Sequence, residues 1–147
     1  MKLSSKSQYG LKACYVLALN HEKKSFSASA LEKEIGVSAK YLERILRMLS
    51  GEGIISAERG VAGGYRLATS PENITVGDIV RVLEDDLEIV SCANSFCAEC
   101  ASGSVWKRLK DGINGVLNSI TLQSLIDDFE GHGICKCHNT KKEKQEL

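Results

Sequence analysis

The sequence contains no run approaching the roughly 18 apolar residues that a membrane-spanning helix requires, so no membrane partner is expected. Its opening residues, MKLSSKSQYG, lack the apolar stretch of a secretory signal, which points to a cytoplasmic location. Net charge is absent too, with 19 Lys and Arg balanced by 19 Asp and Glu. The three histidines, His21, His132 and His138, have no nucleophile-and-base pattern around them, so no enzymatic activity is expected. Proline occurs once, at Pro71. What the chain does have is 43% apolar composition over 147 residues, enough to bury one domain with an appendage and to exclude wholesale disorder. It also has six cysteines. In a compartment that keeps thiols reduced, these read as metal ligands or redox sensors before structural disulfides.

Cutting the chain at Pro71 uncovers an asymmetry beneath the zero net charge. Residues 1–70 carry 11 Lys and Arg against 6 Asp and Glu, and residues 71–147 carry 8 against 13. A basic half attracts phosphate and an acidic half repels it, so a nucleic acid is expected to meet the N-terminal part. Charge also varies along soluble chains that bind none, and the asymmetry alone does not separate the two readings.

Periodicity supplies the elements. Tyr9, Ala13, Val16 and Leu17 recur at helical spacing and predict a first helix over about 7–20. In FSASALEKEIG, Ser27 caps a short helix with Ala30, Leu31 and Ile35 inward and Gly36 as its stop. Ser38 caps the next helix, AKYLERILRMLS, which turns Leu42, Ile45, Leu46 and Leu49 inward. Lys40, Tyr41, Glu43, Arg44 and Arg47 are left on its other faces. Two helices joined through Gly36 and Val37 form a helix-turn-helix pattern. IISAERGVAGGYRLA then reads as a two-stranded hairpin, a wing carrying Arg59, with Gly60, Gly63 and Gly64 supplying positive φ angles and close backbone approach. Any glycine-rich surface hairpin has that pattern; its place after a capped helix pair on the positive half favours DNA binding.

Each residue type in this pattern has a use on a duplex. A helix beginning at Ser38 would enter the major groove with its first turn toward base edges, and Ser38 with the adjacent amides would offer a phosphate site. Lys40, Arg44 and Arg47 suit phosphate or guanine, and Glu43 suits the cytosine amino group. The competing reading of Glu43 is a solvated pair with Arg47 at i,i+4. Arg59 suits a narrow minor groove.

In the C-terminal half, Thr75 to Asp78 resembles a helix start, with Val76, Ile79, Val80 and Leu83 on one face. Trp106, Leu109, Ile113, Val116, Leu117 and Ile120 then keep to one stripe for about four turns. Folding back on the N-terminal domain would cover that stripe. Pairing with a second chain would also cover it, and suits a DNA reader whose two heads engage half-sites about 34 Å apart. A homodimer on double-stranded operator DNA is expected. The expected fold is mainly α with a small β-hairpin wing. It divides into a winged helix-turn-helix DNA-binding domain over 1–70, a linking helix over 71–90 and a cysteine loop over 91–103. A dimerisation helix with a short following helix occupies 104–130, and a polar tail, expected to be disordered, occupies 131–147.

The segments MKLSSKSQYGLKA, VSAKYLERILRMLSGEGIISAERGVAGGYRLA, ITVGDIVRVLE and WKRLKDGINGVLNSITLQSLI resemble a known bacterial family over residues 1–128. It is the winged helix-turn-helix regulator family that includes IscR, NsrR and CymR. The resemblance implies a homodimeric transcription factor with a long dimerisation helix, and its recognition-helix and wing contacts fall on Ser38, Tyr41, Glu43, Arg59 and Gly60. In cluster-bearing members, three cysteines between the linking and long helices hold an iron-sulfur cluster, which implies Cys92, Cys97 and Cys100 here. The spacing departs from that pattern, with four residues and then two between cysteines where relatives commonly have five. Where one branch carries a histidine ligand after the last cysteine this chain has Gly103, and where another takes an acidic ligand from the partner's first helix it has Gln8. The fourth ligand is therefore unassigned. Gln8, His132, Cys135, Cys137 and His138 are the candidates, and for the last four an unrelated exposed tail is the alternative.

Three thiolates suit an iron-sulfur cluster, 2Fe-2S ahead of 4Fe-4S, or zinc, whose spacing Cys97-x-x-Cys100 alone satisfies. Without metal they remain oxidant-sensitive thiols. An incomplete fourth position favours a labile centre over a closed structural zinc site. The expected function is a transcriptional repressor whose operator binding follows cluster occupancy or the redox state of Cys92, Cys97 and Cys100. The alternative is the same fold without a cluster, controlled by thiol oxidation, a metabolite or a metabolic partner enzyme. A zinc-structural protein or a redox carrier stands behind both. Cys14, inside the first helix, reads as a small core residue.

Overall fold

The computed structural model describes residues 2–85, 87 and 100–130. Cys92, Cys97, His132, Cys135, Cys137 and His138 lie outside the described residues, as does the whole segment 131–147. In chain order the elements are α1 (Ser5–Leu19), α2 (Ala28–Ile35), α3 (Ala39–Gly51), β1 (Ile55–Glu58) and β2 (Gly64–Leu67). A 3₁₀ turn (Pro71–Asn73), α4 (Val76–Leu83), α5 (Ala101–Ser119) and α6 (Leu122–Asp128) follow. The chain is thus mainly helical with a two-stranded antiparallel wing, the fold class expected.

Side chains set most helix starts. Ser4, Ser27, Ser38, Thr75 and Thr121 each accept a hydrogen bond from a first-turn amide that would otherwise lack a partner. Because Ser4 does this for Ser7, α1 begins ahead of its apolar periodicity, at Ser5. Thr75 and Asp78 cap α4 reciprocally. Gly36 ends α2 at φ 83°, a left-handed conformation open to glycine without strain.

One core unites the head. Leu17 of α1, Leu31 and Ile35 of α2, and Leu42, Ile45, Leu46 and Leu49 of α3 meet Ile55 and Leu67 of the hairpin. Ile79 and Leu83 of α4 and Leu122 of α6 complete it. α4 is therefore part of the head's own core. Gly10 of α1 lies against the Leu83 side chain, where a Cβ would collide with it. The described residues of the segment 71–90 open with the 3₁₀ turn that Pro71 starts, followed by the eight residues of α4. The Val76 amide donates to the Ile120 carbonyl at 2.8 Å and the Leu122 amide to the Ile74 carbonyl at 2.9 Å, tying the end of α5 to the head.

The wing strands pair from Ile55↔Leu67 to Glu58↔Gly64. Phe26 adds a bridge to Tyr65, its amide donating to the Tyr65 carbonyl at 2.9 Å and its carbonyl accepting from the Tyr65 amide at 2.7 Å. Of the three wing glycines, Gly60 alone takes a positive φ, 112°. Gly63 and Gly64 are needed for space instead. A Cβ at Gly63 would meet the carbonyls of Glu58 and Gly60, and one at Gly64 would meet the Phe26 backbone.

α5 differs from every other helix described: none of its 19 residues is buried. It starts at Ala101, inside the segment assigned by spacing to the cysteine loop. Leu109 and Val116 of the apolar stripe are 44% and 59% exposed and the neighbouring Val105 is 54% exposed, while Trp106, Ile113, Leu117 and Ile120 are half-buried, so folding back on the head leaves the stripe only partly covered. Its last turns touch α4, where Arg81 hydrogen-bonds Asn118 and lies 3.7 Å from Asp78.

Candidate nucleic-acid interface

The stripe that buries Leu42, Ile45, Leu46 and Leu49 forces the remaining α3 side chains outward. Ser38, Lys40, Glu43, Arg44 and Arg47 are exposed and Tyr41 is half-buried. The structure brings these six together around one shallow hollow of about 490 Å³. Three cations and one carboxylate share it. No Glu43–Arg47 ion pair forms among the described residues, so Glu43 faces solvent without the i,i+4 partner that spacing allowed. Arg59 and Gly60 are exposed at the wing turn and do not line the hollow. Farther down the hairpin, Arg66 Nε lies 3.0 Å from Glu58 Oε1 without its N–H aimed at that oxygen, an electrostatic contact and not a hydrogen bond.

The start of α3 departs from expectation. Ser38 Oγ accepts the Tyr41 amide at 3.3 Å, and Glu32 Oε2, reaching over from α2, accepts the Ala39 amide at 3.0 Å. A carboxylate at a helix N-terminus is favoured by the helix dipole, and here it fills the place foreseen for a phosphate. Two of the helix-start amides, those of Ala39 and Tyr41, are thus already taken by the protein's own acceptors.

Two residues behind the hollow were missed in the sequence. The Tyr9 ring meets Tyr41 edge to face, with centroids 6.1 Å apart and planes at 84°, and the Lys12 ammonium sits 5.4 Å from the Tyr9 centroid. In the sequence Tyr9 served only to mark the helical spacing of α1; it is half-buried and spans to α3. The available signal was the i,i+3 spacing of Tyr9 and Lys12 in a stretch that has no acidic residue before Glu22.

The other candidate chemistry lies around α5. Cys100 immediately precedes the helix, with Sγ 3.0 Å from Ser102 Oγ. The Ser102 hydroxyl, then the amides of Gly103 and Ser102, hold the thiol below the ordinary 9.0, favouring thiolate, the form that ligates metals and reacts with oxidants. Cys14 is the opposite case. It is fully buried, and burial pushes its thiol up to about 12, so it is an inert core residue. Gln8 Nε2 donates to the Leu3 carbonyl at 3.4 Å, a weak contact within its own helix start. Among the described residues no group of three or more His, Cys, Asp or Glu is placed to hold a metal.

Glu84, just past α4, was also missed, because its partners lie 77 and 80 residues away. Its Oε1 accepts the Ser4 amide at 2.7 Å and the Ser7 hydroxyl at 2.6 Å. Burial raises its carboxyl, but the hydrogen bonds from Ser7 and Ser4, with the Lys6 charge, outweigh that and hold it below the ordinary 4.5.

Comparison with known proteins identifies the fold's relatives. The family model of Rrf2, described as an iron-dependent transcriptional regulator, matches residues 3–128. The HTH-type transcriptional regulator CymR of Bacillus subtilis is 35% identical over 131 residues, covering 89% of this chain and 94% of that protein. The HTH-type transcriptional regulator IscR of Escherichia coli is 30% identical over 134 residues, covering 88% and 83%. Among solved structures, T. potens IscR superposes with a TM-score of 0.74 at 34% identity, covering 94% of this chain and 96% of that one. The chain belongs to the Rrf2 family of transcriptional regulators.

Proposed function

We propose that this Rrf2-family regulator is a cytoplasmic repressor that binds operator DNA as a homodimer, under control of Cys92, Cys97 and Cys100. The observation that carries the DNA reading is the exposed cationic hollow of α3 set beside the Arg59 wing. In a major groove, Lys40, Arg44 and Arg47 neutralise phosphates or read guanine, Tyr41 packs the helix against the flank, and Glu43 requires a base donor to offset phosphate repulsion. Arg59 and Gly60 follow the sugar-phosphate chain into the neighbouring minor groove. The open stripe of α5 supplies the pairing surface.

Log affinity for operator is expected to fall linearly with log salt. Arg59→Ala weakens operator binding about tenfold or more, the low end of a specific contact, and equal affinity for that variant rejects the wing's role.

Control through the cysteines is supported by the chemistry of Cys100, a half-buried residue whose thiol is held toward thiolate by Ser102 and the Gly103 amide. Cys92, Cys97 and Cys100 would hold an iron-sulfur cluster, 2Fe-2S or 4Fe-4S, with a fourth ligand from Gln8, His132, Cys135, Cys137, His138 or an exogenous group. Such a cluster, when bound, supplies a charge and a cross-link that oxidants remove. The same thiolate supports a second, cluster-free reading in which oxidation of the cysteines is the signal. Anaerobically purified protein is expected to be coloured and to contain iron that Cys92→Ala loses. Colourless protein with stoichiometric zinc rejects the cluster, and colourless metal-free protein whose operator affinity changes on oxidation favours the thiol reading.

A further inference from the structure

We propose that Val61, at the tip of the wing, is a specificity residue that reads base identity in the minor groove: its methyl groups fit against A·T pairs and reject the 2-amino group of guanine. The inference rests on the operator-binding reading and names a preference within it.

The wing ends in a four-residue turn. The Gly63 amide donates to the Gly60 carbonyl at 3.0 Å, which places Val61 and Ala62 at the two outermost positions. Three features hold that turn in one shape. Gly60 takes φ 112°, a Cβ at Gly63 would meet the backbone of Glu58, Arg59 and Gly60, and the Ser25 hydroxyl, reaching from the segment before α2, donates to the Ala62 carbonyl at 3.2 Å. Turns favour Gly, Asn, Asp and Ser. Here the leading side chain is apolar and stands wholly in solvent, at 111% relative exposure. A β-branched side chain is stiff at χ1, so the pinned turn presents two methyl groups in a defined place and little freedom is left to lose on contact. Arg59, exposed beside the tip, is attracted by the negative potential of a narrow minor groove. Glu58, the one carboxylate of the hairpin, lies 3.0 Å from Arg66, which offsets its repulsion of phosphate.

Val61 has no side-chain donor or acceptor, so it works by shape. In the minor groove every base pair shows acceptors, and G·C differs by the guanine 2-amino donor. A methyl group set against that donor strips its water and offers no acceptor in return, a penalty that A·T pairs escape.

The test uses the full-length protein and a duplex that it selects from a random library. Each adenine is replaced in turn by 2,6-diaminopurine, which adds the minor-groove amino group and leaves the major-groove edge unchanged. Wild type is expected to lose about tenfold in affinity at the positions under the wing. Guanine at those positions should bind about tenfold worse than inosine, which lacks only the amino group. Val61→Ser removes both methyls, offers a hydroxyl acceptor and should abolish both differences, while Arg59→Ala weakens every duplex by one factor and keeps them. A wild type indifferent to diaminopurine at every position overturns the proposal. So does a sensitivity that persists in Val61→Ser and disappears in Arg59→Ala, which would assign the preference to groove width read by the arginine. Failure of the wild type to select any duplex defeats the operator reading itself, and is seen before base identity is compared.

Discussion

α3 and α5 are both amphipathic helices by the spacing of their apolar residues, yet they end in opposite conditions. α3 buries Leu42, Ile45, Leu46 and Leu49 completely, whereas α5, the longer of the two, has no fully buried residue and only half-buries Trp106, Ile113 and Leu117. The stripe of α3 is covered by α1, α2, α4 and the hairpin, which close one core around it. Among the described residues, α5 is tied to the head at its last turns, through Asn118 and the backbone bonds at Ile120 and Leu122. Burying a leucine is worth about 1.5–3 kcal/mol, and Leu109 at 44% exposure realises only part of that within one chain. Apolar spacing states that a face needs cover; it does not say which molecule provides it. In α3 the cover is the chain itself, and in α5 we assign it to a second copy.

Substitutions should separate the two helices in size as well as kind. Leu46→Ala opens a cavity in a fully buried site and is expected to cost about 2–5 kcal/mol, read as a lower urea midpoint; a loss under about 1 kcal/mol would mean the head core is looser than its burial implies. Val116→Ala is expected to leave unfolding of dilute protein within about 0.5 kcal/mol while weakening self-association, measured by sedimentation. A large stability loss without a change in association would place Val116 in the head's core instead.

Glu84 gives an intermediate effect. Its folded carboxyl binds a proton less readily than in the unfolded chain, so its contribution is complete above the ordinary 4.5 and is lost as pH falls through the lowered value. Glu84→Ala is expected to cost about 1 kcal/mol at neutral pH, because a charged hydrogen bond here is only partly shielded from water. Its stability should also fall less steeply with acid than that of wild type, and parallel acid limbs would mean that Glu84 does not carry the clamp on α1. Glu43→Ala, like Val116→Ala, is expected to change stability by no more than about 0.5 kcal/mol, since Glu43 is exposed and lacks an Arg47 ion pair. Its effect is expected in DNA selectivity, as a wider range of accepted operators in a competition assay.

What could be read from the sequence divides along the same line. Ser27, Gly36, Ser38 and Thr75 act through neighbours a few residues away, and each marked its helix end correctly. Lys40, Tyr41, Glu43, Arg44 and Arg47 followed from the 3.6-residue period of α3, because burying one face fixes the other, and Ser38 from its place as the cap. Longer-range chemistry carried no local signal. Glu32 at the start of α3, Tyr9 against Tyr41, and Glu84 on Ser4 and Ser7 are each contacts between separate elements. The wing glycines were half readable: their presence marked a tight hairpin, but only the fold distinguishes Gly60, which needs a positive φ, from Gly63 and Gly64, which need room.

The most direct test of the account is the mass of the protein–operator complex by sedimentation, for wild type and for Leu109→Asp. Two heads joined through α5 predict two chains per operator duplex. Leu109→Asp should then give a folded monomer with operator affinity reduced about a hundredfold or more, because a charge in an apolar interface core is strongly unfavourable. A single chain on the operator, or a Leu109→Asp protein that still pairs and binds as wild type does, would contradict it.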